Sequence, residues 1–183
     1  VIDYPHVGEV SAKGLLQMFD VDGYQHKLNL LDKQSVGLSH QSYNIDGHQW
    51  ALAIDAATQV CCFRQDLISS LPNSWNDLID LAKENRVIWP LKPVHAISSF
   101  YSIYNNIAEE FNPNDKNYIQ KELGVQTLLM MKQISKYLLD ECFTMDPIKT
   151  AETLYETEDF FYSPYTYGFS NYSRKAYRKN IIS

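Results

Sequence analysis

A segment of the chain that begins at Ser74 has the apolar spacing of an amphipathic helix. Asp77 follows Ser74 at an interval of three residues, which is the pattern of a capping box at a helix start. The apolar residues after Ser74 recur every three or four positions, as expected when one helix face is buried. They are Trp75, Leu78, Ile79 and Ala82.

Three more helices are predicted further along the chain. One begins at Pro93, because proline suits a first helical turn, and we expect one of its faces to be buried: Val94, Ile97, Tyr101, Tyr104 and Ala108. A longer helix is predicted from about Asp115 to Leu139, with this buried stripe: Ile119, Leu123, Met130, Ile134, Tyr137 and Leu138. Asp146 before Pro147 predicts an N-cap and the start of a fourth helix, which ends near Thr157.

Short apolar runs between these helices predict strands. The expected strands are the end of one at residues 1–4, and runs at 49–54, 58–64, 86–89 and 159–163. Residues 20–48 are rich in Asp, Gly, Ser and Asn, so we expect mostly loop with short helical turns. Strands that alternate with helices predict an α/β fold.

Composition restricts the functional classes. The 183 residues are 45% hydrophobic and carry 22 acidic against 16 basic side chains, a formal net charge of -6. A globular protein is therefore expected, and nucleic acid is not an expected partner because its binders usually carry the opposite charge. The chain opens on Val1 inside an apolar run, so we expect a piece of a longer protein.

The three cysteines have two interpretations. Cys61 and Cys62 are neighbours in a predicted strand, where adjacent side chains point to opposite faces, and Cys142 stands alone. Buried thiols acting as small apolar side chains are the simpler interpretation. A nucleophilic cysteine would need a nearby base, and the spacing identifies none.

Asp3, His6 and Glu9 surround a Pro-Gly loop that follows the first predicted strand. Three interpretations stay open: a solvated loop, a loop that faces a ligand, and a metal site. Open α/β sheets bind ligands beyond the carboxyl ends of their strands, which favours the second interpretation over the third. The other histidines are scattered and add no matching metal motif, so no metal or cofactor is expected.

Other candidate positions combine aromatic rings with polar groups. Asp55 lies between two predicted strands and is either a turn carboxylate or a ligand acceptor. Trp89 ends a predicted strand ahead of a helix start and is either a core residue or a ligand contact. A tyrosine-rich segment contains Pro164 and is either packing or a surface whose rings and hydroxyls suit sugars. Its members are Tyr162, Tyr165 and Tyr167.

Four segments, in the same order along the chain, resemble a known family. Residues 49–68 are similar to a strand that crosses between lobes, and they contain an Arg64–Leu67 step that ends in Asp-Leu. The step is followed by Pro72-Asn73-Ser74-Trp75, which resembles a Pro-x-(Thr/Ser)-Trp helix start. The other matching segments are residues 2–9, 86–94 and 159–174. Together they resemble the extracellular solute-binding proteins of ABC transporters, family 1, which include sugar-binding members.

The resemblance implies a periplasmic-binding-protein-like α/β fold with one complete lobe and part of the other. The implied organisation is a partial first lobe with a crossing (1–58), a second lobe (59–160) and a return crossing (161–183). A hinge motion would close a cleft on a small solute, sugar favoured, and the closed form would dock on a membrane permease. The implied location is the periplasm or the cell surface. The implied cleft residues are His6, Glu9, Asp55, Trp89, Tyr162, Tyr165 and Tyr167.

Two rival hypotheses accompany this one. A small hydrolase would use Asp3, His6 and a cysteine. A non-functional truncated remnant would expose the unpaired strand edges of an incomplete first lobe and self-associate.

Overall fold

The chain forms two units, Val1–Ala57 and Thr58–Ser183, in the computed structural model. The residues that the structure describes are 1–3, 6–108, 119–177 and 180–183. Residues 161–183, expected to lead back to a first lobe, are grouped with the second unit.

The first unit contains two helices and a small hairpin. Helix α1 spans Val7–Ala12 and helix α2 spans Gln25–Gln34; a 3-10 turn at Gln41–Tyr43 leads into strands β1 (Asn44–Ile45) and β2 (His48–Gln49). The strands pair antiparallel around a two-residue turn in which Asp46 and Gly47 have φ of 53° and 83°. Positive φ at both positions is what a type I′ hairpin requires.

Three expectations for this unit were wrong. Residues 1–3 form no strand, and the strand predicted at 49–54 is reduced to the β2 pair. Residues 20–48 were expected to be mostly loop, but they contain the ten-residue helix α2. In that helix Leu28 is buried while Leu30 is 47% exposed. Most of its other residues are polar, so its sequence shows no clear buried stripe. The end of the first predicted strand, at Tyr4, lies outside the described residues.

The second unit is built around a short mixed sheet. Strands β3 (Gln59–Phe63) and β4 (Tyr162–Tyr167) pair antiparallel. Val87 pairs with β4 in parallel orientation, and Ile182 pairs antiparallel with Arg64 at the end of β3. The strand predicted at 86–89 is therefore a single bridge, and the last predicted strand lies three residues later than expected, at β4 rather than at 159–163.

The described part of the second unit contains four α-helices: α3 (Trp75–Lys83), α4 (Pro93–Ile107), α5 (Lys121–Ser135) and α6 (Pro147–Glu156). The predicted caps are confirmed at two of them. Ser74 Oγ accepts a hydrogen bond from the N–H of Asp77 at 3.2 Å, and Asp146 Oδ1 accepts from the N–H of Lys149 at 2.8 Å. The part of the predicted third helix at 115–118 lies outside the described residues, and the described helix ends at Ser135.

The buried faces of α4 and α5 were predicted with different success. On α5, Ile134 is fully buried and Leu123 and Met130 are partly buried, as expected, whereas Tyr137 is exposed. On α4 the prediction is confirmed for Tyr104 but wrong for Val94 and Ile97, which are 47% and 54% exposed; Ser99 and Ile103 are buried as well. The polar residue Ser99 is thus buried at a position that the spacing of apolar residues did not predict.

Gly124 of α5 lies close to the side chain of Ile119, which precedes the helix. A Cβ added at Gly124 would lie 3.2 Å from Ile119 Cγ2, a tight contact, and 3.9 Å from Phe100 Cζ of α4, an ordinary one. The glycine, which costs about 1 kcal/mol of helix propensity, therefore leaves room for Ile119.

Two apolar clusters form the core of the second unit. The larger contains Trp89, Ile103, Ile134 and Tyr162 with residues from α3, and the smaller contains Ile88, Cys142 and Leu154. Ile88 and Trp89 are adjacent in sequence and point into different clusters, so this segment joins the two halves of the core. No described helix has the combination of length and apolarity needed to cross a membrane.

Candidate functional site

A bulge in β4 determines where the tyrosines point. Val60 pairs with Thr166 and Cys62 pairs with Ser163, so β4 has two residues, Pro164 and Tyr165, opposite the single residue Cys61. A bulge is one of the few places where a strand tolerates proline. The extra residue breaks the alternation of faces, and Tyr162 and Tyr165, three positions apart, both contact the larger core cluster.

A hydrogen-bond network connects the start of β3 to α4. Gln59 Nε2 donates to Ser99 Oγ at 3.1 Å, and Ser102 Oγ donates to Gln59 Oε1 at 3.0 Å. Trp89 Nε1 also donates to Ser99 Oγ at 3.1 Å. The buried serine of α4 is thereby satisfied, and the amide of Gln59 is held in one orientation. Gln59 is also the register partner of Tyr167 on β4.

Two aromatic contacts complete this region of the second unit. The rings of Trp89 and Tyr165 are tilted, with centroids 5.7 Å apart, and the rings of His95 and Tyr167 meet edge to face at 6.2 Å. Tyr165 and Tyr167 are half-buried, so part of each residue is accessible at the surface. We call the group formed by Gln59, His95, Ser99, Tyr165 and Tyr167 the aromatic edge.

The pKa shifts of His95 and Tyr165 both favour the uncharged form of the side chain. Burial lowers the pKa of His95, although the nearby Asp146 carboxylate opposes this shift. Burial raises the pKa of Tyr165. The edge thus presents aromatic C–H and hydroxyl groups without a formal charge, which suits a neutral ligand with apolar faces and hydroxyl groups.

Two of the predicted cleft residues are core residues instead. Trp89 is 0% exposed and its indole N–H is already bonded to Ser99. Tyr162 is 7% exposed within the same cluster, and burial followed by the neighbouring Cys61 raises the pKa of its phenol. Neither ring is accessible to a solute in this structure, because both pack inside the larger core cluster.

Three of the predicted cleft residues, His6, Glu9 and Asp55, lie in the first unit. His6 is exposed immediately before α1, and Glu9, also exposed, pairs with Lys13 at 2.5 Å within that helix. Asp55 is exposed in the irregular segment after β2. These three have the accessibility that a ligand contact needs.

Neither metal ligation nor thiol chemistry gains support from the described residues. No group of three or more His, Cys, Asp or Glu side chains that could hold a metal ion occurs within the described part of the chain. Burial raises the pKa of Cys62 to about 11 and also raises that of Cys142, which disfavours the nucleophilic thiolate. Cys61 points outward and Cys62 inward, as expected for neighbours on a strand.

Sequence reasoning missed His95, Gln59 and Ser99. Each is a polar residue whose role depends on a contact with a distant segment, such as the 40 positions between Gln59 and Ser99. The proximity of His95 to Pro93, at the predicted helix start, was the one available signal.

Comparison with solved structures identifies the fold. A maltose-bound structure of T. maritima MalE3 superposes with a TM-score of 0.67 at 12% identity, over 97% of this chain and 48% of that chain. A cyclo/maltodextrin-binding protein complexed with maltotetraose gives 0.57 at 14% identity, over 88% and 43%. The maltose-maltodextrin binding protein of the thermoacidophilic bacterium Alicyclobacillus acidocaldarius gives 0.57 at 14%, over 87% and 43%.

These likenesses establish a partial α/β fold of the periplasmic-binding-protein kind, as the resemblance implied. The chain spans about half the length of the solved structures that it matches. No protein-family model and no curated protein sequence matches the chain.

Proposed function

We propose that this chain is part of a solute-binding component of an ABC importer, which captures a small solute for a membrane permease. Its main support is the likeness of almost the whole chain to structures of maltose- and maltodextrin-binding proteins. A sugar is the favoured solute class, and the periplasm or the cell surface is the proposed location.

The aromatic edge is the proposed solute contact of the second unit. Tyr165 and Tyr167 supply ring faces for the C–H groups of a sugar and hydroxyls for its oxygen atoms. His95 packs against Tyr167 and limits its ring orientations. In the first unit, His6, Glu9 and Asp55 are the proposed polar contacts, and no catalytic step is involved.

Thermal unfolding of the purified chain with added sugars tests the proposal. Maltose and maltotetraose are the first probes, because the solved neighbours hold them. A ligand at a hundredfold excess over its Kd stabilises the folded state by about 2.7 kcal/mol. Saturable stabilisation without formation of a new product supports a binding role. Absence of stabilisation by a panel of neutral sugars would remove the sugar assignment.

Variants then test the contact residues. We expect Tyr167→Ala and Asp55→Ala each to weaken the stabilising sugar without unfolding the protein. Tyr137→Ala and Asp22→Ala are matched controls, since both residues are exposed and lie outside the proposed contacts. Unchanged affinity in both test variants would contradict the contact assignment.

The rival hypotheses receive less support. A hydrolase that used Cys62 or Cys142 would need a buried thiol with a raised pKa as its nucleophile. The comparisons lend no support to self-association, and we do not propose it.

A further inference from the structure

The first unit contains a pocket of its own, with a volume of about 420 Å³. Small-molecule sites in proteins usually enclose about 300–1,000 Å³, so this pocket has room for a compact ligand. Helix α2, the 3-10 turn and the β1–β2 hairpin all contribute to its wall. The lining residues that carry the argument are Asp20, Asn29, Asp32, His40, Gln41 and Gln49.

The electrostatics of the pocket favour a cation. Its lining includes the two carboxylates of Asp20 and Asp32 and contains no lysine or arginine. Asp20 is engaged, since its carboxylate lies 2.7 Å from His48 Nδ1 and accepts a hydrogen bond from the N–H of Gln49 at 3.0 Å. Within the described part of the chain, the Asp32 carboxylate has neither an ion pair nor a hydrogen bond.

A buried histidine, His40, also lines this pocket. His40 is only 6% exposed and lines the pocket, yet its imidazole has no hydrogen-bond partner among the described residues. Its ring nitrogens are not among the fully buried atoms that lack a partner, so they keep access to solvent. The imidazole therefore adds a hydrogen-bonding group that is free to meet a ligand in the same pocket as Asp32.

The wall that carries His40 is rigidly held. Gln49 is 4% exposed, and its Nε2 donates to the backbone oxygens of His40 at 2.9 Å and Ala51 at 2.8 Å. The N–H of Gln49 is at the same time bonded to Asp20. Gln49 thus connects the carboxylate and histidine sides of the pocket through its hydrogen bonds to Asp20 and His40.

We propose that this pocket binds a small organic cation, a compound whose ammonium or guanidinium group donates to Asp32 and whose remaining polar atoms meet His40 and the amide side chains. A neutral sugar would leave the Asp32 charge uncompensated, so the positive charge is the distinguishing feature of the ligand. The site lies within the first unit and does not depend on the function proposed above.

Calorimetric titration of the full chain with agmatine and with glucosamine tests the proposal, with glucose as the neutral match for glucosamine. We expect saturable one-to-one binding of at least one amine and weaker or no binding of glucose at this site. The Asp32→Asn variant should weaken amine binding by about tenfold or more, because it removes a charge-assisted hydrogen bond. Gln41→Lys, which brings a positive charge to the lining, should abolish it.

A control variant outside the pocket completes the test. Asp22→Asn removes an exposed carboxylate outside the lining and should leave amine affinity unchanged. Asp32 lies in the last turn of α2, where loss of a negative charge does not destabilise a helix, so Asp32→Asn is expected to fold. Equal affinity for glucosamine and glucose, no saturable binding of either amine, or full binding by folded Asp32→Asn would each overturn the proposal.

Discussion

Arg64 connects several segments of the second unit through one buried side chain. It is 1% exposed, its Nη1 donates to the backbone oxygens of Leu154 and Thr157 at 3.1 Å each, and its Nε and Nη2 bond both oxygens of Asp66. Those carbonyls lie at the end of α6, where the helix leaves acceptors unpaired. The Arg-x-Asp-Leu step noted in the sequence therefore has a structural role: it caps a helix about 90 positions away.

The Arg64→Lys variant should lower the free energy of unfolding by about 2 kcal/mol, because an ammonium group cannot replace the planar fork and leaves buried acceptors without partners. Asp66→Asn is the matched comparison. Its side chain is 56% exposed, so we expect a loss of at most about 1 kcal/mol. Chemical denaturation measures both, and an equal effect of the two variants would contradict the capping role.

The Arg64–Asp66 pair should also make the free energy of unfolding depend on pH in the acid range. The hydrogen bond from Arg64 lowers the pKa of Asp66 below its ordinary value of 3.8. A lowered pKa in the folded state means that the stabilisation is complete above the ordinary pKa and is lost as the pH falls through the folded value. Unfolding free energy should therefore decline below about pH 4, and more steeply in the natural chain than in Asp66→Asn. Identical pH profiles would argue against the pair.

At the scale of elements, features that depend on neighbouring residues were predicted correctly, whereas features that depend on contacts between distant segments were not. The helix starts at Ser74, Pro93 and Asp146 were predictable because a cap depends on residues within one turn. The buried face of α4 was predicted correctly at Tyr104 but not at Ser99, because Ser99 is buried through hydrogen bonds to Trp89 and Gln59, which lie outside the helix. Likewise the last strand was predicted at 159–163, ending before Pro164, but it spans Tyr162–Tyr167 with a bulge at Pro164 and Tyr165.

The candidate site shows the same difference between what neighbouring residues determine and what tertiary contacts determine. Tyr165 and Tyr167 were predicted from their aromatic and hydroxyl character and stay predicted contacts, whereas the burial of Trp89 and Tyr162 was decided by tertiary packing. The pocket of the first unit was not foreseen at all, since its wall includes α2, which was expected to be mostly loop.

The cap of α6 gives a prediction at this scale. Asp146→Ala should destabilise the second unit by about 1 kcal/mol, because the N–H of Lys149 loses its acceptor. Asp146→Asn retains an oxygen acceptor at the same place and should have a much smaller effect. Thermal unfolding of both variants measures the difference, and equal destabilisation would show that charge rather than capping is the contribution.

At the scale of the whole molecule, buried apolar side chains are unevenly distributed between the two units. Among the described residues, the first unit buries Val7 and Leu28, while both core clusters lie in the second unit. Several large apolar side chains of the first unit are exposed, including Leu15 at 70% and Leu38 at 66%. Because burial of apolar surface is the main source of stability, the two units differ in their own resistance to unfolding.

Hydrogen exchange should resolve this difference. We expect amides of α2 to exchange faster than those of α4 and α5, since helices with few buried contacts open at lower free energy. A difference of about 1.4 kcal/mol in opening free energy corresponds to about tenfold in exchange rate. Mass spectrometry of peptides from each helix gives the comparison, and equal protection throughout would contradict the uneven core.

The extra residue of β4 has a consequence for insertions and deletions. Deletion of Pro164 would restore one-to-one pairing across β3, but it would reverse the parity of the strand on one side of the gap. Either Tyr162 would exchange sides with Ser163, or Tyr167 would exchange sides with Thr166. Swapping the two residues of the affected pair would then be needed to return the tyrosine to its original side of the strand. The number of residues in β4 therefore determines which side chains face outward as much as their identity does.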